Sequence, residues 1–132
     1  VHGDLAAGPV PLVRVHVQDT IGDVIGVQGP QLGWPLRAAM RRIVAAGTGV
    51  VVLLRYPETP RQLVAAVRAL AQPHEPAEPR RERVAVLRTF GTGAQILRDL
   101  GVTRMRVLSA PKQMHAISGF GLEVVEYVDD PA

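Results

Sequence analysis

The chain of 132 residues contains no cysteine, and its other shortages are equally restrictive. Without thiols it can form neither a disulfide scaffold nor a thiolate metal site, and it has no cysteine nucleophile. Aromatic residues make up 4% of the chain, too few for base-stacking platforms. No apolar run approaches the roughly 18 residues that a membrane span needs, and no basic-then-apolar leader is visible. We therefore expect a cytoplasmic protein that binds neither nucleic acid nor membrane.

What the chain does contain is typical of one globular domain over residues 1–132. Hydrophobic residues make up 47% and charged residues 20% of the sequence. The net charge is +3, and the basic residues are fourteen arginines and a single lysine, Lys112. Arginine keeps its charge and can bind phosphate or carboxylate through two parallel hydrogen bonds.

Periodicity and turn residues predict an α/β fold in which helices cover a sheet. Strands are predicted over residues 10–17, 23–27, 50–54, 105–108 and 122–128. Helices are predicted over residues 34–46, 60–70, 92–100 and 111–117. Capping boxes at Thr59–Gln62 and Thr92–Gln95 mark two of the helix starts. Residues 71–83 contain three prolines and no apolar periodicity, which predicts a mobile loop.

Two groups of polar residues are candidates for a site. His16, Asp19 and Asp23 are close in sequence and could suggest a metal site, but a hydrogen-bonded structural histidine is the better interpretation. The predicted helix start at Thr92 and Gly93, with Arg88 just before it, could hold an anion through free amides. Capping alone explains the same residues, and Arg88 could instead pair with a carboxylate such as Asp99.

Four stretches of the chain carry a more specific signal. They are residues 9–16 with 20–23; residues 31–33 with 36–43 and 47–49; residues 87–102; and residues 119–126. Together they resemble GTP cyclohydrolase II, the family that hydrolyses GTP at the opening of riboflavin synthesis. The resemblance extends over residues 1 to about 128 and implies that family's fold, a sheet flanked by helices.

The family's zinc motif reads RVHSECLTGD, followed after a few residues by CDCG. Its three cysteine positions fall on Asp19, Pro30 and Leu32 of this chain. Proline and leucine offer no side-chain ligand, and one carboxylate does not replace three thiolates. The resemblance therefore implies that zinc is absent, and with it the metal-activated hydroxide that would open the imidazole ring.

Other functional positions of the family are retained only in part. The family's acid and its phosphate-attacking arginine align with Val86 and Arg88, so the nucleophile position is vestigial and the acid is lost. Lys112 matches a basic residue that contacts phosphate. The resemblance thus implies phosphate contacts at Arg88 and Lys112, and with the predicted helix start at Thr92 and Gly93 they form a candidate phosphate site. It implies no metal site and no catalytic residue.

These observations favour a non-catalytic GTP cyclohydrolase II-like domain with a structural or regulatory role. Two alternatives stay open: an active hydrolase of this family with altered metal use, and a sensor that binds GTP or phosphate. Family context implies a fused upstream domain, 3,4-dihydroxy-2-butanone 4-phosphate synthase, and a homodimer. A chain that begins at Val1 inside the domain fits a fragment of such a protein.

Overall fold

The strands and helices alternate along the chain, as the sequence predicts. The computed structural model describes residues 1–28, 33–71, 80–109 and 118–129. The strands are β1 (Leu12–Val17), β2 (Gly49–Leu54), β3 (Arg104–Leu108) and β4 (Glu123–Val128), and the helices are α1 (Leu36–Ala46), α2 (Pro60–Ala71) and α3 (Arg80–Asp99). A π-helical turn (Thr20–Ile25) follows β1, and a 3₁₀ turn (Ser118–Phe120) precedes β4.

The four strands form one parallel sheet in the order β2-β1-β3-β4. This confirms the α/β class and the sheet flanked by helices. Side chains of β1 alternate between the two faces of the sheet. Val13 and Val15 pack with Leu97 under α3, whereas Leu12 packs with Ile43 under α1. The sheet is therefore covered on both faces, which suits its buried strands.

Two local predictions are confirmed in detail. The hydroxyl of Thr59 accepts a hydrogen bond from the Gln62 amide, and the Gln62 side chain accepts one from the Thr59 amide at 2.8 Å. Gly47 ends α1 with φ of 84°, a left-handed conformation that glycine adopts without steric cost.

The predicted strand over residues 23–27 is wrong, because this segment begins inside the π-helical turn. The Asp19 carboxylate accepts a hydrogen bond from the Gly22 amide at 2.7 Å and so caps the turn. Gly26 ends the turn in a left-handed conformation. A short polar side chain therefore overrides the strand propensity of Val24 and Ile25.

The predicted helix start at Thr92 is also wrong, because α3 runs through it from Arg80 to Asp99 without a break. The Thr92 hydroxyl donates to the Arg88 carbonyl one turn earlier, as a residue inside a helix does. The predicted mobile loop over 71–83 is likewise wrong at both ends, since Ala71 closes α2 and residues 80–83 open α3. Residues 72–79 of that loop, and the predicted helix over 111–117, lie outside the described residues.

No helix in the described ranges is both long and apolar enough to cross a membrane.

Candidate functional site

The topology of the sheet points to the end of β1. From β1 the chain moves through α1 to β2 on one side, and later through α3 to β3 on the other. In open parallel sheets, ligands bind outside the carboxyl ends of the strands where the strand order reverses in this way. Arg14 lies in the middle of β1 and His16 near its carboxyl end, both on the face covered by α1.

Arg14 joins three elements at this point. Its Nη1 donates to the Leu108 carbonyl at the end of β3 at 2.9 Å, and its Nη2 donates to the Trp34 carbonyl before α1 at 3.0 Å. Its Nε is buried and has no hydrogen-bond partner among the described residues. Burial lowers the pKa of the Arg14 guanidinium, and the negative charge of Asp23 opposes that shift. The side chain therefore fixes the junction of β1, β3 and α1.

His16 continues the same network and is only 5% exposed. Its Nε2 lies 2.9 Å from both carboxylate oxygens of Asp23, and its Nδ1 lies 3.4 Å from Arg14 Nη2. Arg14 can only donate, so this geometry assigns the proton of the neutral ring to Nε2. The prediction that His16 is hydrogen-bonded is confirmed.

The two aspartates near His16 already have backbone partners. Asp23 also accepts the Asp19 amide at 3.0 Å, and the Asp19 carboxylate accepts the Gly22 amide at 2.7 Å. No group of three metal-ligating side chains occurs within the described ranges. These carboxylates therefore hold the π-helical turn against β1.

A pocket of about 420 Å³ opens beside this network, between the π-helical turn and the start of α1. His16 and Asp23 line one part of it, and Arg37 and Arg41 line another. The Ala39 amide, which donates to the Pro35 carbonyl, is the first of α1 to donate to a carbonyl one turn earlier. The amides of the three residues before it have no acceptor within the helix. The guanidinium groups and the helix N-terminus give the pocket positive groups that can bind an anion, and the carboxylates of Asp19 and Asp23 line it as well.

The phosphate site predicted around α3 loses its geometric basis. Thr92 and Gly93 lie in the interior of α3, where backbone amides donate to carbonyls one turn earlier. The predicted pairing of Arg88 with Asp99 is excluded, because eleven residues of helix separate them by about 16 Å. Arg88 is exposed on α3, and Lys112 lies outside the described residues.

Sequence reasoning did not find Arg37 and Arg41 as pocket residues. A signal was present: the first turn of α1 contains an arginine and no acidic residue. A positive charge there opposes the helix dipole, so its placement favours a negative ligand nearby.

Comparison with known proteins identifies the fold. A family model described as GTP cyclohydrolase II matches residues 1–129. The chain belongs to the GTP cyclohydrolase II family. It is 47% identical over 126 residues to the 3,4-dihydroxy-2-butanone 4-phosphate synthase of Pseudomonas aeruginosa, a match that covers 96% of this chain and 33% of that protein. It is 37% identical over 134 residues to the riboflavin biosynthesis protein RibBA of Bacillus cereus, a match that covers 97% of this chain and 34% of that protein.

This GTP cyclohydrolase II-like domain therefore spans about a third of the length of the curated relatives that it matches. The relatives place it in the riboflavin biosynthesis protein family. Arg14, His16 and Asp23 all lie in the first stretch of the resemblance, residues 9–16 with 20–23. Their hydrogen bonds hold the backbone of β1 and of the π-helical turn in place.

The zinc ion of GTP cyclohydrolase II does not fit the donors of this chain. Cysteine is absent, and Pro30 and Leu32, which the resemblance aligns with two of the family's three cysteine ligands, have no side-chain donor atoms. The residue at the third position, Asp19, accepts the Gly22 amide through its carboxylate.

Proposed function

We propose that this domain is a non-catalytic GTP cyclohydrolase II-like domain with a structural or regulatory role. Its setting would be a riboflavin biosynthesis protein that also carries a 3,4-dihydroxy-2-butanone 4-phosphate synthase domain. The names of the relatives, and the third of their length that the chain matches, support that setting.

The observation that carries the proposal is the local role of Asp19. A ligand residue of a catalytic zinc site needs its donor atom directed at the metal and an open fourth position for water. Asp19 instead holds its carboxylate 2.7 Å from the Gly22 amide and caps the turn after β1. Its carboxylate therefore binds a backbone amide, and the chain has no cysteine that could supply a thiolate ligand instead.

The second support comes from α3. The position that matches the family's acid is Val86, which has no proton to give, and it lies in α3 two residues before Arg88. General acid catalysis contributes roughly 10²–10⁴-fold to a rate. Loss of this group adds to the loss of the metal-activated water, so restoring either one alone would not restore the reaction.

Zinc content tests the proposal directly. The purified chain is expected to contain no stoichiometric zinc after exposure to excess zinc and desalting, measured by elemental analysis. The triple variant Asp19→Cys, Pro30→Cys and Leu32→Cys restores the family's ligands and is the positive control. One zinc per chain in the unsubstituted protein would contradict the proposal and favour a hydrolase with altered metal use.

The pocket beside His16 favours a second candidate function, a sensor that binds GTP or phosphate without turnover. Arg37 and Arg41 line it together with the first turn of α1. Titration with GTP and with pyrophosphate, followed by calorimetry, is expected to show binding that Arg37→Ala and Arg41→Ala weaken. Arg42→Ala, an exposed arginine of α1 outside the pocket lining, is the matched control. Arg88→Ala tests the position predicted from the resemblance.

A further inference from the structure

Helix α2 leaves its apolar residues uncovered. None of its twelve residues is buried, and Val64 and Val67 are 50% and 52% exposed. Helices of this length gain most of their stability in proteins from packing an apolar face. A face of this kind indicates an interaction surface.

Within the part of the chain that the structure describes, α2 is held mainly at the π-helical turn. Its main contacts are with the π-helical turn (Thr20–Ile25), and Glu58, just before α2, accepts hydrogen bonds from the Thr20 amide and hydroxyl. On the outer side a shallow groove of about 620 Å³ runs along the helix. We call this groove, together with the exposed Val67 of the same helix, the α2 face; the groove is lined by Pro60, Arg61, Val64, Ala65, Arg68 and Ala69.

The charge of the α2 face indicates what covers it. Arg61 and Arg68 are both exposed, and neither forms an ion pair with a residue that the structure describes. They are seven residues apart, which is about 10 Å along a helix. The helix contains no acidic residue. A second α2 face packed antiparallel on the first would bring arginines of the two copies together, which disfavours self-association.

We propose that the α2 face docks a protein segment with an apolar centre and carboxylates spaced to reach Arg61 and Arg68. The central contact would be with Val64 and its alanine neighbours, and the two arginines would form the charged edge. Arginine is enriched at protein interfaces because its planar group binds carboxylates through two hydrogen bonds. The proposal goes beyond the function proposed above and holds whether or not the domain binds GTP.

The test uses a synthetic probe and the full 132-residue chain. The probe is a fluorescein-labelled 16-residue helical peptide with a leucine stripe flanked by glutamates. One control peptide has the same composition in scrambled order, and another has lysine in place of glutamate. Fluorescence anisotropy is expected to show saturable binding of the probe, and at least tenfold weaker binding of both controls.

Variants of the chain locate the binding. Arg61→Ala with Arg68→Ala, and separately Val64→Ser with Val67→Ser, are expected to weaken binding of the probe at least tenfold. Val125→Ser, at a valine of β4 that is 45% exposed, is the matched control and leaves binding unchanged. Unchanged binding in both double variants would overturn the proposal.

Two other occupants would also overturn it. A concentration-dependent dimer in sedimentation velocity, abolished by Val64→Ser with Val67→Ser, would show that a second copy covers the α2 face. Binding to phosphatidylglycerol vesicles that depends on Arg61 and Arg68 would show a lipid surface instead, the alternative for a basic amphipathic helix.

Discussion

Replacing Asp23 by alanine is the most informative perturbation of the network at the end of β1. The substitution removes the acceptor of the His16 Nε2 proton and of the Asp19 amide, both at 2.9–3.0 Å. It also removes the negative charge that opposes the desolvation of Arg14. One change therefore affects the histidine, the π-helical turn and the buried guanidinium together.

The expected loss follows from the burial of His16. At 5% exposure its ring has little contact with bulk water in the folded protein. A buried donor left without a partner costs about 1–3 kcal/mol, and the lost amide bond of Asp19 adds about 1 kcal/mol. We expect Asp23→Ala to lower the free energy of unfolding by about 3 kcal/mol. By contrast, Glu123→Ala breaks an ion pair whose side chains are 56% and 64% exposed, and should cost no more than about 1 kcal/mol.

Urea unfolding measures both effects, with the single tryptophan as the probe. Trp34 is 4% exposed in the folded protein, so its emission reports unfolding. A double-mutant cycle with His16→Ala isolates the coupling of the pair, which should exceed about 1 kcal/mol for side chains in contact. A loss for Asp23→Ala no larger than that for Glu123→Ala, together with no coupling to His16, would refute the reasoning.

Three further predictions concern other contacts. Gly93→Ala should lower the melting temperature, because a Cβ there would lie 2.9 Å from Val15 Cγ1 and the crowding outweighs the gain of about 1 kcal/mol in helix propensity. Thr59→Ala removes the cap on the Gln62 amide and should cost about 1 kcal/mol in urea unfolding, whereas Thr59→Ser should cost less. Arg14→Lys loses the pair of hydrogen bonds to the Leu108 and Trp34 carbonyls. Burial at this position also lowers the pKa of the new amine below its unfolded value of about 10.4, so the folded variant binds fewer protons than the unfolded one. The free energy of unfolding of the variant should therefore rise as the pH rises toward that value. A pH series of urea melts checks this, and a flat profile above pH 8 would count against it.

The features that local sequence determines were predictable. Alternating valines around Val13 and Val15 predict a buried strand, and the pair Thr59 and Gln62 with Pro60 between them predicts a helix start. Both predictions need only residues a few positions apart. The resemblance likewise identified the family, because its stretches extend over most of the chain.

The predictions that were wrong concern features that depend on contacts between residues far apart in the sequence. Gly91 and Gly93 favour a break in helix α3, yet a Cβ at Gly93 would press on Val15, and one at Gly91 would lie 3.3 Å from Phe120. These glycines let the helix approach the sheet and the 3₁₀ turn, which no local pattern reveals. The pocket residues Arg37 and Arg41 were missed for the same reason, since the π-helical turn that completes the pocket was predicted as a strand.

We propose that the domain performs no cyclohydrolase chemistry, and release of formate from GTP tests this proposal most directly. The chain is incubated with GTP and zinc beside a cysteine-containing member of the family as the positive control. We expect no formate above background from this chain, because it lacks thiolate ligands and has Val86 where the resemblance places the family's acid. Formate produced in proportion to GTP consumed, at a rate that scales with the concentration of the chain, would contradict it.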